Sequence, residues 1–189
     1  ALGNWVLDEA CRQMSRWRAA GVKGIRMAVN LSAQQLRSPK LVQSVATLLE
    51  RHGLKGSDLE LEITESVAME NPERAIGQLQ ALHDLGIQLA IDDFGTGYSS
   101  LAYLKRLPIQ VLKLDRTFVR DIETDPSDAE ISAATLALAR NLGLKVIAEG
   151  VETEAQRDFL SQHQCDFMQG FLFSKPLPAE DALAFFRGC

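Results

Sequence analysis

The chain is poor in cysteine, and the three it has, Cys11, Cys165 and Cys189, are far apart, odd in number and free of any CxxC spacing. That argues against a disulfide framework and against a zinc knuckle, and it makes a reducing cytoplasm the simplest home. No apolar run approaches the roughly 20 residues that span a bilayer, and the start carries no charged-then-apolar signal segment, so this segment is expected to make no membrane contact. A basic stripe is missing too. The 20 Lys and Arg residues are scattered among 25 Asp and Glu, for a net charge of −5, which argues against duplex DNA or RNA as a partner. A small anionic ligand stays open if metal ions supply the positive charge. An initiating Met is also lacking: Ala1-Leu2-Gly3-Asn4-Trp5-Val6-Leu7 runs straight into a helical pattern, which reads as a chain cut from something longer.

What the sequence does have is a core and a cadence. Its 189 residues, 46% of them hydrophobic, suffice for one compact domain spanning 1–189. Trp5, Val6, Ala10, Cys11, Met14 and Trp17 recur at helical spacing before Gly21 and Gly24, and a strand follows over 26–32. A helix with Leu41, Val42, Val45, Leu48 and Leu49 on one face stops at Gly53, and Leu59 to Thr64 reads as strand. Asn71 and Pro72 open a helix facing inward through Ile76, Leu79, Leu82 and Leu85, followed by the strand Gln88 to Asp92. A short helix through Leu101 and Leu104 precedes the strand Val111 to Asp115. A polar loop over Thr124 to Asp128 then leads to a helix lined by Ile131, Thr135, Leu138 and Leu142, and Lys145 to Glu149 returns as strand. A helix begun by Thr153, the strand Phe167 to Phe171 and a helix after Pro178 complete the pattern. This alternation predicts an α/β fold built of βα units. About six strands are readable where a closed TIM-like barrel needs eight, so the missing pair would precede Ala1. An open doubly wound sheet fits the alternation as well, but it gathers ligands at one switch point, whereas polar residues here end every strand.

Those ends are Asn30, Glu62, Asp92, Lys113, Glu149 and Gln169. Side chains alternate across a strand, so where Leu61, Ile63, Leu89, Ile91, Leu112 and Leu114 pack outward, Glu62, Asp92 and Lys113 point inward, as Asn30 does opposite Val29. In a barrel all six meet at the C-terminal rim, where barrel enzymes place their chemistry. Asp92-Asp93-Phe94-Gly95-Thr96-Gly97 is the sharpest local signal: a turn after Asp92, permitted by Gly95 and Gly97, brings both carboxylates to one site. Clustered with Glu62 and Glu149, these acids would repel one another unless cations held them.

Carboxylates joined by the amide oxygens of Asn30 and Gln169 suit hard ions such as Mg²⁺ or Mn²⁺. Zinc is disfavoured, because His52, His83 and His163 lie on separate helices, each read as an exposed residue, and no Cys joins the rim. A dense carboxylate set with a shared Asp matches a two-metal site of the kind that catalyses in-line phosphoester hydrolysis. Lys113 could orient the attacking water or hold the phosphate there. It could equally form a salt bridge with a neighbouring acid.

Asn30-Leu31-Ser32, Leu61-Glu62-Ile63-Thr64-Glu65-Ser66, Asp92 to Leu101, Lys113-Leu114-Asp115, Glu149-Gly150-Val151-Glu152 and Gln169 to Pro176 resemble, in order, the motifs of bacterial EAL domains across nearly the whole chain. The resemblance implies a TIM-like (β/α) barrel of the EAL type whose first strand is antiparallel. It also implies a phosphodiesterase that opens cyclic di-GMP to linear pGpG with two Mg²⁺ or Mn²⁺ ions. By position it assigns Asn30, Glu62 and Asp92 to one metal and Asp92, Asp93 and Glu149 to the other. Lys113 would touch the catalytic water, with Gln169 at its edge. Glu65 would brace the loop after Asp93, which the family uses for metal binding and for homodimer contacts, and Glu152 would be structural support. A sensory or GGDEF-type domain would lie upstream.

The two strands that carry the Glu-Ala-Leu signature, with a further metal-binding Glu and a substrate-binding Arg, have no counterpart here, and the helical Asp8-Glu9-Ala10 is not that signature. The competing reading is a catalytically inactive EAL module that binds cyclic di-GMP or a protein partner. A third is an unrelated metal-dependent barrel using Lys113 as a base for proton abstraction. The acids Asp92, Asp93 and Glu149 together with Lys113 favour the phosphodiesterase.

Overall fold

The computed structural model describes residues 2–95 and 101–188. Of the motif after Asp93, the segment from Thr96 to Ser100, with Gly97, lies outside the described residues. In chain order the elements are α1 Leu2–Ala19, β1 Met27–Asn30, α2 Ala33–Leu36, α3 Leu41–His52, β2 Leu59–Thr64, α4 Glu65–Glu70, α5 Pro72–Asp84 and β3 Gln88–Phe94. After these come α6 Leu101–Leu104, β4 Val111–Leu114, α7 Arg116–Arg120, α8 Pro126–Asn141, β5 Lys145–Glu149, α9 Glu154–Gln162, β6 Phe167–Gln169 and α10 Ala179–Gly188. The six strands form one sheet in sequential order, and every neighbouring pair is parallel. Consecutive parallel strands joined by helices give an open barrel, the six-strand α/β architecture that the cadence predicts.

The outward faces of the strands make the core. Leu61, Ile63, Leu89, Ile91, Leu112 and Leu114 are fully buried against Leu79 and Leu82 of α5 and the other helices. Local chemistry sets the helix starts. Asn71 accepts the Arg74 N–H ahead of Pro72, Thr153 and Gln156 form a capping box, and Gly53 ends α3 in the left-handed conformation at φ 63°. The two ends of the described chain meet: Trp17 Nε1 donates to the Ala179 carbonyl at 3.2 Å, its ring meets Phe186 edge-on, and Arg187 donates to the Ala20 carbonyl at 3.1 Å.

Several details differ from the sequence reading. The polar stretch 124–128 is not all loop, because Asp125 accepts the Ser127 N–H and caps α8, which starts at Pro126. The buried stripe of α8 is Ser132, Thr135, Leu136 and Ala139, leaving Ile131 exposed; Ser132 can face inward because its hydroxyl donates to the Phe118 carbonyl at 3.2 Å. On α1 the buried stripe is Leu7, Cys11 and Met14, and Trp5 is exposed. His52 and His163 are half-buried rather than exposed. His52 pairs with Asp8 at 2.6 Å, and His163 caps α9, stacked on Phe159.

Leu79 sits at 0% exposure on α5, the helix packed on β3, whereas Ile131 is 38% exposed. Leu79→Ala should cost about 2–5 kcal/mol of unfolding free energy, and Ile131→Ala should stay within about 0.5 kcal/mol. Urea denaturation of the two variants checks the assignment of inner and outer helix faces.

Candidate active site

Strand alternation and parallel register put the candidate residues on the inner face. Asn30 is the register partner of Glu62, Glu62 of Ala90, and Glu149 of Gln169. On the central strands this face is buried, so Glu62, Asp92 and Lys113 are 6%, 9% and 5% exposed. On the outer strands it is open, and Asn30 and Gln169 are exposed.

β3 contains a bulge. Its register with β4 runs Ile91 to Leu112 and then Phe94 to Leu114, one extra residue on β3. Asp93 takes the strain at φ 54°, a conformation rare for a residue with a side chain. Its N–H turns back to Asp92 Oδ1 at 3.1 Å. Glu65, the first residue of α4, accepts the Gly95 N–H at 2.9 Å and so fixes the chain just beyond the bulge. Gly95 itself has φ 98°, and a Cβ there would come within 2.9 Å of the Phe118 ring.

Lys113 gathers the acids. From β4 its Nζ reaches Glu62 of β2 at 2.8 Å, Asp92 of β3 at 3.2 Å and Glu149 of β5 at 2.7 Å. The small Ala90 lies between the positions of Glu62 and Val111 on this face. Burial alone would lower the Lys113 pKa, but hydrogen bonds to Glu149 and Glu62, and their charges, outweigh it and hold the ammonium above the ordinary lysine range. Glu149 is pushed up by burial and by Asp92 and Glu62, against the pull of Lys113. Asp93 is pushed up by burial, by the Asp92 charge and by a hydrogen bond with Asp115, which itself caps α7.

Of the residues singled out in the sequence, Glu62, Asp92, Lys113 and Glu149 meet directly, and Asp93 joins them through the bulge. Lys113 makes the salt bridges that were its alternative reading. Glu152 is exposed, its N–H held by Gln156 Oε1 at 2.7 Å. Two acids had no role assigned from sequence. Asp115 shares a hydrogen bond with Asp93. Glu60, 6% exposed, lies one inward position below Glu62 and accepts from Gln88 Nε2 at 2.7 Å; the Glu60-Leu61-Glu62 alternation carried that signal.

The acids lie within reach of one positive charge, and their chemistry, all hard oxygen donors, fits a divalent cation. As the side chains stand, no three His, Cys, Asp or Glu among the described residues are arranged to hold a metal ion. The position among the three carboxylates is taken by the ammonium of Lys113.

Comparison with known proteins agrees with the geometry. The chain is 52% identical over 183 residues to the bifunctional diguanylate cyclase/cyclic di-GMP phosphodiesterase MucR of Pseudomonas aeruginosa, covering 97% of this chain and 27% of that protein. A solved structure of the MucR phosphodiesterase in complex with c-di-GMP superposes with a TM-score of 0.93 at 51% identity, covering 96% of this chain and 73% of that one. The EAL domain of Mycobacterium smegmatis DcpA gives a TM-score of 0.95 at 45% identity, covering 99% and 84%. A manganese/cy-diGMP complex of Klebsiella pneumoniae BlrP1 gives 0.80 at 32%, covering 90% and 44%. The chain spans about a quarter of the length of the curated relatives it matches. The EAL domain profile matches residues 1–176, and the chain belongs to the EAL domain family.

Proposed function

We propose that this chain is the greater part of a metal-dependent phosphodiesterase domain that hydrolyses cyclic di-GMP to linear pGpG. The observation that carries the reading is the convergence of Glu62, Asp92 and Glu149, from three different strands, on one buried cationic point. MucR, half identical to this chain, is named as a cyclic di-GMP phosphodiesterase, and BlrP1 has been solved with manganese and cy-diGMP. Asn30, Glu62 and Asp92 would hold one Mg²⁺ or Mn²⁺ ion, and Asp92, Asp93 and Glu149 the second, with Asp92 shared. Bound there, the ions would polarise the scissile phosphodiester and lower the pKa of the attacking water.

The chain's own residues do the rest. Asp92 is paired with Thr64 of β2 and stands at the start of the bulge on the β4 side, beside Asp93, which suits the shared ligand. Asp93 is aimed by the bulge and kept there by the Glu65 bond to Gly95. Lys113, released from the acids, orients water at the phosphate, with Gln169 beside Glu149 at the edge and Glu152 supporting the following turn. Among the described residues no helix is long and apolar enough to cross a membrane. The setting we propose is cytoplasmic, in a homodimer whose longer chain carries an upstream sensory or GGDEF-type domain, as the bifunctional name of MucR suggests.

Incubating the chain with cyclic di-GMP and Mn²⁺ should yield pGpG by chromatography. Binding without product would instead mark it as a binding module. Asp92→Asn should reduce turnover at least about 10³-fold, because one substitution weakens both metals; near-normal turnover would remove the shared-ligand role. Glu65→Ala, which frees the Gly95 amide, should lower activity by roughly 10–100-fold, the scale typical of residues that support metal ligands.

A further inference from the structure

The Lys113 ammonium is ringed by three carboxylates, those of Glu62, Asp92 and Glu149, at 2.7–3.2 Å, with a hydrogen bond donated to Glu62 at 2.8 Å, and the group is 5% exposed. Such an arrangement of opposite charge is what a buried cation requires, and without it the acids would face one another unneutralised. The same carboxylates are the metal ligands proposed above, yet as they stand among the described residues no group of three acids is arranged for a metal ion. Ammonium and metal therefore need the same oxygens.

We propose that Lys113 is the resident counter-ion of the metal-free site, which holds the acid cage together and must leave its carboxylates before a divalent ion can enter. The inference rests on the metal reading of the site. Its side chain suits an exchange: a compact point charge on a flexible four-carbon stem can withdraw from one set of oxygens and serve a nearby one, which a planar guanidinium gripping a carboxylate with two bonds does less readily. Lys113 then has two successive partners, the acids when metal is absent and water or phosphate when metal is present. Metal affinity is lowered by the fraction of molecules in which the ammonium occupies the cage. The cage is also kept folded when metal is scarce, because Glu62 and Asp92 are not left buried beside each other without a positive charge.

The test uses the whole chain, stripped with EDTA, and Mn²⁺ as the probe, in calorimetric titration and thermal melting of the wild type, Lys113→Met and Lys113→Arg. Lys113→Met should melt below the wild type in EDTA, gain more in melting temperature on Mn²⁺ addition, and bind Mn²⁺ at least about tenfold more tightly. If that variant is unfolded in EDTA, recovery of its helical circular dichroism with Mn²⁺ is the matching result. Lys113→Arg, with its firmer grip, should bind Mn²⁺ more weakly than the wild type. Unchanged or weaker Mn²⁺ binding by Lys113→Met, with the wild type still binding, overturns the counter-ion role and leaves the metal reading standing. Should Lys113→Met stay unfolded with Mn²⁺, Lys113→Arg decides, and binding as tight as wild type overturns the proposal. Absence of Mn²⁺ binding by all three proteins takes down the metal reading and the proposal with it.

Discussion

One buried ammonium organises this fold's inner face. Lys113 connects carboxylates from the strands on both sides of its own, and through Glu62 it reaches two strands away. Four strands thus share a charge cluster in addition to their backbone ladders. Removing one partner from such a cluster costs about 3–5 kcal/mol in typical proteins, because the remaining charges are left buried and unpaired. The constraint acts on geometry as much as on energy: inward parity, parallel register and the small Ala90 must all hold for the lysine to reach Glu62.

The outer and inner faces of the sheet answer to different demands. Outward leucines and isoleucines of the central strands are fully buried and bind the sheet to its helices. The inner face carries Glu60, Glu62, Asp92 and Lys113 where a purely structural barrel would stack branched aliphatics. Packing on one face therefore secures a polar arrangement on the other that would be unstable alone. That division explains why a site of mutually repelling acids can sit on regular strands rather than on loops, with the positional accuracy that strands provide.

Much of this was legible from residue order, since parity is a local property. Leu61, Ile63, Leu89 and Ile91 mark the outer face, and Glu62, Asp92 and Lys113 the inner one, by their alternation alone. The acids clustered around its position also raised a salt-bridged Lys113 beside a water-orienting one, and the side-chain distances show the salt bridges. What remained hidden has short range or long reach. Helices α2, α4 and α7 have four to six residues, too few to show a 3.6-residue period. Ser132 and Ile131 exchange the expected faces of α8 because a tertiary partner, the Phe118 carbonyl, satisfies the hydroxyl. Pairings such as Asp8 with His52, or Asp93 with Asp115, depend on distances that no linear spacing encodes.

The candidate ligands differ in how firmly they are held, and the difference follows from what holds them. Glu62 is laddered on both sides, and Asp92 and Glu149 each keep one ladder partner, Thr64 and Gln169, so moving their backbone would require breaking a ladder. Asp93 stands outside that regime: the bulge removes it from regular pairing, and its position rests on the Asp92 carboxylate, on Asp115 and on the Glu65 bond to Gly95. Side-chain hydrogen bonds of this kind can rearrange at far lower cost than a central ladder, because each contributes only about 0.5–1.5 kcal/mol net, or 1.5–3 where a charge is involved. On the metal-dependent reading proposed above, a site that admits ions between acids uses both kinds of residue. The strand-borne acids keep the cage in shape, and Asp93, held by side-chain hydrogen bonds, is the member that would shift at lower cost if the charge inside changed.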